Sequence, residues 1–268
     1  MDEVKKFAVI GIPIKHSLSP FIHKEFAQQQ GISIQYKMIE PDSDEHFETH
    51  AQSFFSKKGY GANITIPFKE QAYKFANHHD ISALECESAN TLLRHENKIT
   101  AFNTDGDGFM RDLQKKKILL ANKRILVLGA GGTTRSIINS ISKENDCTID
   151  ILNRSQNKTD ILIKKYKGLQ DINNYKDGKR YDLIINTTPV SLMNDKIVFP
   201  KNIFNDQSIS YDLFYSNTNT SFQKWSIENG ALNTYNGLGM LIEQAAISYN
   251  IWNNYEPSTE VIPKLLGF

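Results

Sequence analysis

Short apolar runs alternate with amphipathic stretches along most of the chain. Residues 7–11 are an apolar run closed by glycine and a nearby proline, which predicts a buried strand, and Ser19-Pro20 then opens a helix carrying Phe21, Ile22, Phe26 and Ala27. Residues 35–39 read as a second strand, a helix runs through Phe47 and Phe54, and residues 61–67 form a third strand halted by proline. The alternation implies a parallel α/β sheet. Residues 89–94 and 98–102 predict a hairpin around His95-Glu-Asn97, after which Asp105-Gly-Asp-Gly108 breaks into a helix with Phe109, Met110 and Leu113. A change of domain is expected near that break.

From Lys123 the alternation starts afresh. Strands are expected at 124–128, 148–152, 183–186 and 208–213, with helices at 133–142 and 160–166. Residues 237–252 have helical apolar spacing at Leu241, Ala245, Ile247 and Ile251, so the chain is expected to end on helix that folds back onto the first domain.

Composition narrows what such a protein does. With 268 residues, 40% of them hydrophobic, the chain can bury a core in each of two modest domains. The 31 basic and 30 acidic residues leave a net charge of +1, which favours neither nucleic acid nor an anionic membrane as partner. A small-molecule site is the default. No apolar run approaches the roughly 20 residues of a membrane span, and residues 1–6 lack the apolar segment of a secretory signal, so a cytoplasmic protein is expected. Cys86 and Cys147 form no CxxC pair, and neither a disulfide framework nor a metal site is indicated. The oligomeric state is left open, with a homodimer among the assemblies to consider.

The richest segment is the apolar strand 125–128 followed by Gly129-Ala130-Gly131-Gly132-Thr133 and a helix start. A glycine turn of this kind lets backbone N–H groups approach a pyrophosphate, and the helix terminus adds partial positive charge. The sixth position of the motif is Thr134 rather than glycine or alanine, which is expected to weaken helix-to-strand packing. After the next strand come Asn153, Arg154, Ser155 and Lys158, where an acidic residue would accept from the ribose hydroxyl of NAD. Arg154 and Lys158 can instead neutralise the extra 2′-phosphate of NADP. The expected cofactor is therefore NADP.

Four segments of the first half place small polar or ionisable residues at strand ends: 17–20, 63–69, 88–92 and 103–106. Their hydroxyls and amides, with Lys69 and Asp105, suit a polyhydroxylated substrate. Singly, each has a plainer reading as a helix cap, a turn residue or a surface lysine. Together with Asn236-Gly237-Leu238-Gly239-Met240-Leu241, Gln244, the glycine turn, 153–155, 186–189 and 212–215, they resemble the signature segments of the shikimate dehydrogenase family, in family order.

That resemblance covers about Phe7 to Trp252 and implies reversible NADP-dependent reduction of 3-dehydroshikimate to shikimate, on the route to chorismate and the aromatic amino acids. It implies two domains: an α/β substrate domain of residues 1–103 completed by 238–268, and a Rossmann-like NADP domain of 104–237, the C-terminal helices returning to the substrate domain. Lys69 and Asp105 are then the catalytic pair. Ser17, Ser19 and Tyr215 are assigned to the substrate carboxylate, and Thr65, Asn90, Asp105 and Gln244 to its hydroxyls. Gly129, Ala130, Gly131, Gly132 and Thr133 are assigned to the pyrophosphate, Asn153, Arg154, Ser155 and Lys158 to the adenosine phosphate, and Leu213 and Gly237 to the nicotinamide. Whether Lys69 is an acid/base or an electrostatic stabiliser stays open, as does activity on quinate. The chain departs from the family pattern at Glu87-Ser88, at Val190-Ser191-Leu192 and at Ser216-Asn217, which bears on loop shape and cofactor affinity.

Overall fold

The computed structural model describes residues 4–143, 146–193 and 197–268, so the start of the amino-terminal segment read for a secretory signal lies outside the described residues. The chain divides into two compact units, one of residues 1–108 and 242–266 and one of 109–241 and 267–268.

The first unit contains β1 (Lys5–Ile10), α1 (Ser19–Gln30), β2 (Ile34–Ile39), α2 (Phe47–Ser56), β3 (Gly59–Ile64), α3 (Lys69–Phe75), β4 (His78–His79), α4 (Ile81–Cys86), β5 (Thr91–His95) and β6 (Lys98–Phe102). Helix α5 (Asp105–Lys115) carries the chain out of it. The six strands form one sheet in the order β2-β1-β3-β5-β6-β4. Strands β1, β2 and β3 are parallel, as the alternation predicts, but β3 pairs antiparallel with β5 and β5 antiparallel with β6, so the sheet is mixed. The predicted hairpin is what reverses direction.

This topology gathers the polar segments. The C-terminal ends of β1 and β3, the N-terminal end of β5 and the C-terminal end of β6 all lie at one edge, with Asn63 opposite Thr91 and Thr91 opposite Phe102. Crevices at such strand ends are where open α/β sheets take ligands.

The second unit contains β7 (Arg124–Leu128), α6 (Gly132–Ile141), β8 (Thr148–Leu152), α7 (Gln156–Tyr166), β9 (Asp171–Asn174), β10 (Tyr181–Asn186), α8 (Val190–Met193), β11 (Phe204–Asp212), α9 (Ser221–Glu228) and β12 (Asn233–Asn236). Its sheet is parallel throughout, in the order β12-β11-β10-β7-β8-β9. Strand order reverses between β7 and β10. Helix α7 starts four residues before the expected 160, because Ser155 already takes the extended N-cap conformation, and this puts Lys158 in its first turn.

Helix α10 (Leu238–Asn253) carries the chain back, and α11 (Ile262–Leu265) follows. Of the expected apolar stripe Leu241, Ala245, Ile247 and Ile251, Ala245 is buried and the other three are half-buried. The helix buries Ile242, Gln244, Ala245, Ser248, Tyr249 and Trp252, because polar partners as well as apolar ones meet it. Trp252 anchors this return within the first unit. Its ring stacks on Phe7 at 4.7 Å and its Nε1 donates to Leu92 O at 3.0 Å, a burial worth about 2–3 kcal/mol for a large aromatic side chain.

The aromatic cluster also encloses His23, which is wholly buried and lies flat against Tyr36 at 4.7 Å and near Trp252 at 5.1 Å. Burial drives its pKa down from 6.5 to about 3. Below pH 6.5 the unfolded chain therefore takes up a proton that the folded chain refuses, and stability falls as pH falls from 6.5 towards 3. We expect urea denaturation to show about 2 kcal/mol of this loss between pH 7 and pH 5, and His23→Phe to abolish that part of the slope. An identical pH slope in the variant removes the buried imidazole as its source.

Candidate active site

In the first unit the centre of the site is Asp105, the first residue of α5. The glycines around it predict a break before the helix, yet the helix begins at Asp105 itself, because Asn103 Oδ1 accepts from Asp105 N at 3.1 Å and caps the turn. Gly108 lies one turn on. A Cβ there would fall 2.6 Å from Gln244 Cβ and 2.7 Å from Gln244 N, so the absence of a side chain is what lets α10 approach α5.

Lys69, at the start of α3, donates from Nζ to Asp105 Oδ2 at 2.6 Å. The lysine side chain is 13% exposed and the aspartate 5%, so the ion pair sits at the boundary between solvent and interior. The other carboxylate oxygen, Oδ1, accepts from Asn90 Nδ2 at 2.9 Å, and the same Nδ2 lies 3.0 Å from Gln244 Oε1. Four of the residues expected to meet substrate, Lys69, Asn90, Asp105 and Gln244, are thus directly linked. They come from four separate segments of the chain.

Ser17 and Ser19 flank the N-terminus of α1, with Ser17 Oγ accepting from Ser19 N at 3.3 Å. Thr65 follows β3 and is tied to β1 through its N–H, which bonds to Ile10 O at 3.0 Å. The Ser19 side chain bonds to the Tyr36 hydroxyl, and Tyr36 donates to Asn63 Oδ1 at 2.6 Å. Burial holds the Tyr36 hydroxyl well above the usual phenol range, so it stays protonated and able to donate. Tyr36, Asn63, Thr91, Thr104 and Ser248 are buried residues with polar groups, none of them expected individually to meet a ligand. All but Tyr36 and Ser248 lie inside the quoted motifs, and Ser248 is signalled only by its place four residues after Gln244.

In the second unit the glycine turn runs from the end of β7 into α6, beside the point where strand order reverses. Gly129 has φ 114°, a left-handed conformation that favours glycine, and its N–H bonds to Leu152 O at 2.8 Å. A Cβ on Gly131 would meet nothing within 4 Å, so this turn has the open face a phosphate needs, at the N-terminus of a ten-residue helix. Arg154, Ser155 and Lys158 are exposed and Asn153 half-buried at the end of β8. These residues fit a dinucleotide with a 2′-phosphate.

Thr134 does not loosen the packing as its place in the motif suggests. It is fully buried, its Oγ1 accepts from Gly131 N at 3.0 Å, and it lies 2.6 Å from Thr187 Oγ1. Thr187 in turn donates to Leu128 O at 2.8 Å, so hydroxyls fasten the turn to the ends of β7 and β10.

The expected nicotinamide residues also meet. Leu213 follows β11, its N–H bonding to Asn186 O at 3.0 Å, while Gly237 N bonds to Phe214 O at 3.0 Å. Asp212 holds this segment from below: it accepts from Asn186 Nδ2, Ser191 Oγ, Thr220 Oγ1 and Phe214 N. Burial raises its carboxyl above the ordinary range, and the four donors pull against that rise. Tyr215 stacks on Phe214 at 5.9 Å.

The departures from the family pattern are absorbed locally. Glu87 ends α4 in the left-handed region with φ 48°, Ser191 joins the Asp212 network, and Ser216 Oγ accepts from Thr218 N at 3.3 Å. Ser88 is fully buried, and its Oγ has no hydrogen-bond partner.

A mixed sheet bearing a lysine–carboxylate pair and a parallel sheet bearing a phosphate-type glycine turn define a dinucleotide-dependent α/β dehydrogenase. Comparison with known proteins narrows the class. Residues 9–92 match the shikimate dehydrogenase substrate binding domain, 112–198 the shikimate / quinate 5-dehydrogenase family, and 237–266 the shikimate 5'-dehydrogenase C-terminal domain. The shikimate dehydrogenase (NADP(+)) of Legionella pneumophila strain Lens is 39% identical over 99% of this chain and all of its own length. That of Vibrio atlanticus is 37% identical over 97% of this chain and 96% of its own. The crystal structure of shikimate 5-dehydrogenase from Thermus thermophilus with NADP(H) and shikimate superposes with a TM-score of 0.86 at 26% identity, covering 97% of this chain and 98% of that one. The chain belongs to the shikimate dehydrogenase family.

The fastening of the turn has a measurable outcome. Thr134→Val keeps the shape and removes the hydroxyl, and we expect a loss of about 1 kcal/mol in thermal unfolding, as for removal of a helix-capping side chain. If the turn holds the pyrophosphate that both share, as expected from the sequence, the Michaelis constants for NADP and NAD should rise by the same factor. A rise confined to NADP counts against this placement.

Proposed function

We propose that this protein catalyses the reversible NADP-dependent interconversion of 3-dehydroshikimate and shikimate, with Lys69 and Asp105 as its catalytic pair. The observation that carries the reading is the 2.6 Å contact between Lys69 Nζ and Asp105 Oδ2, at the strand-end edge where Asn90 and Gln244 also converge. A polyhydroxylated ring acid matches such a set. Each of its hydroxyls needs a partner at fixed geometry, and the site supplies one carboxylate, two amides and an ammonium.

When bound, NADP(H) would supply hydride chemistry to this site. Reduction of a carbonyl builds negative charge on its oxygen, and Lys69 brings positive charge and a proton to that position. Asp105 holds the ammonium through Oδ2, and Asn90 steadies the carboxylate through Oδ1. Ser17, Ser19 and Tyr215 are assigned to the substrate carboxylate, and Thr65, Asn90, Asp105 and Gln244 to hydroxyls. Gly129 to Thr133 would hold the pyrophosphate, Asn153, Arg154, Ser155 and Lys158 the 2′-phosphate end, and Leu213 and Gly237 the nicotinamide.

A cytoplasmic location belongs to the same reading: Cys86 and Cys147 are both buried and far apart in sequence, in keeping with structural thiols of a reducing compartment. Among the described residues no helix is long and apolar enough to cross a membrane. The assembly, monomer or homodimer, follows from a light-scattering mass.

Absorbance at the nicotinamide band, with shikimate or quinate and NADP or NAD in all four pairings, tests reaction, substrate and cofactor together. Shikimate with NADP should be fastest; no turnover in any pairing sinks the proposal. Lys69→Ala should lower kcat about a thousandfold with little change in shikimate affinity, and near-normal turnover removes Lys69 from the chemistry. Arg154→Ala should raise the KM for NADP by about tenfold to a hundredfold, the worth of a charge-assisted contact, and leave that for NAD unchanged. Equal effects on the two cofactors contradict the phosphate assignment.

A further inference from the structure

Behind Asn90 lies a cluster of buried polar side chains that the reaction scheme does not use, formed by Asn63, Thr91, Thr104 and Ser248. Thr91 Oγ1 is its centre, 3.0 Å from Asn90 Oδ1, 2.7 Å from Ser248 Oγ and 3.3 Å from Asn63 Nδ2. Ser248 reaches the same point from α10. Its hydroxyl lies 2.9 Å from Gln244 O and 3.2 Å from Thr104 Oγ1 and accepts from Asn63 Nδ2 at 3.2 Å; donated to Thr91 Oγ1, its one proton leaves that of Thr91 for Asn90 Oδ1.

Proton counting gives this cluster a direction. The backbone Thr104 N–H can only donate, and it points at Asn90 Oδ1 from 2.8 Å, so the amide oxygen faces the cluster and the amide nitrogen faces the site. There Nδ2 meets Thr104 Oγ1 at 2.8 Å, Asp105 Oδ1 at 2.9 Å and Gln244 Oε1 at 3.0 Å. A flipped amide would set its own oxygen against the Asp105 and Gln244 oxygens with no proton between them. That arrangement is strongly disfavoured in a buried setting.

We propose that Thr91, supported by Ser248, is a positioning residue for the reaction: its hydroxyl donates to Asn90 Oδ1 and holds the amide with its nitrogen towards Asp105 and Gln244. The grip on a substrate hydroxyl is then set from inside the protein. Thr91 touches no substrate itself and acts through Asn90. The inference rests on the assignment of Asn90, Asp105 and Gln244 to the substrate.

The test is steady-state kinetics of the full chain with shikimate and NADP. Thr91→Val keeps the shape and deletes the hydroxyl, and it should raise the KM for shikimate about tenfold while the KM for NADP stays as in the unmutated protein. Thr91→Ser, which keeps the hydroxyl, should restore most of that loss. A lesion of folding alone lowers the active fraction and the melting temperature and leaves the KM for shikimate untouched. Should Thr91→Val fail to fold, Ser248→Ala approaches the same hydroxyl from the helix, and a KM for shikimate raised about threefold, with that for NADP unchanged, supports the proposal. An unchanged KM for shikimate in either folded variant overturns it, as does a Thr91→Ser enzyme as impaired as Thr91→Val. If the unmutated protein does not oxidise shikimate at all, the dehydrogenase reading fails first and takes this proposal with it.

Discussion

A carboxylate nine-tenths withdrawn from water must have both oxygens engaged, and in the first unit that requirement falls on Asp105. One oxygen takes the ammonium of Lys69 and the other the amide of Asn90. Removing any partner from so buried a charge leaves it uncompensated, which is far more costly than the pair is stabilising. The surrounding architecture follows from this demand. Asn103 caps the turn that presents Asp105, and it is itself held by Ser82 Oγ and by the Ser88 carbonyl. The mixed sheet brings these groups together, since a purely parallel arrangement would send the N-terminal end of β5 to the opposite edge.

The second unit meets a different demand with similar means. A phosphate-type turn has to be open on one face and rigid on the other. Openness comes from the glycines, and rigidity comes from hydroxyls: Thr134 and Thr187 bind each other, the turn and the β7 carbonyl. At the next loop Asp212 plays the part that Asp105 plays in the first unit, a buried acceptor onto which donors from separate segments are gathered.

Much of this could be read from residue order alone. Most strands of both sheets announce themselves as apolar runs, the hairpin as two runs around His95-Glu-Asn97, and the candidate site as segments containing Lys69, Asn90, Asp105 and Gln244. What escaped has identifiable causes. Helices α3, α4, α8 and α9 are short and lack a clear periodic stripe, and β9 and β12 are polar strands of four residues each. On α10 only Ala245 of the apolar stripe is buried, because the helix turns Gln244 and Ser248 inward, which no hydrophobic pattern can flag. Thr134 looked like a packing defect because the motif speaks of size, whereas its contribution is a hydrogen bond. Tyr36 and Ser248 were invisible as site residues, since their importance exists only once β2 and α10 are folded beside the motifs.

The vacancy at Gly108 carries a consequence for how such a site diversifies. With the Gln244 backbone and Cβ in the space that a methyl group would need, no side chain can be added at position 108 without displacing this contact. Selectivity for a differently substituted ring must then be acquired by exchanging side chains on a fixed frame, one hydroxyl partner at a time. The frame itself works as a ruler.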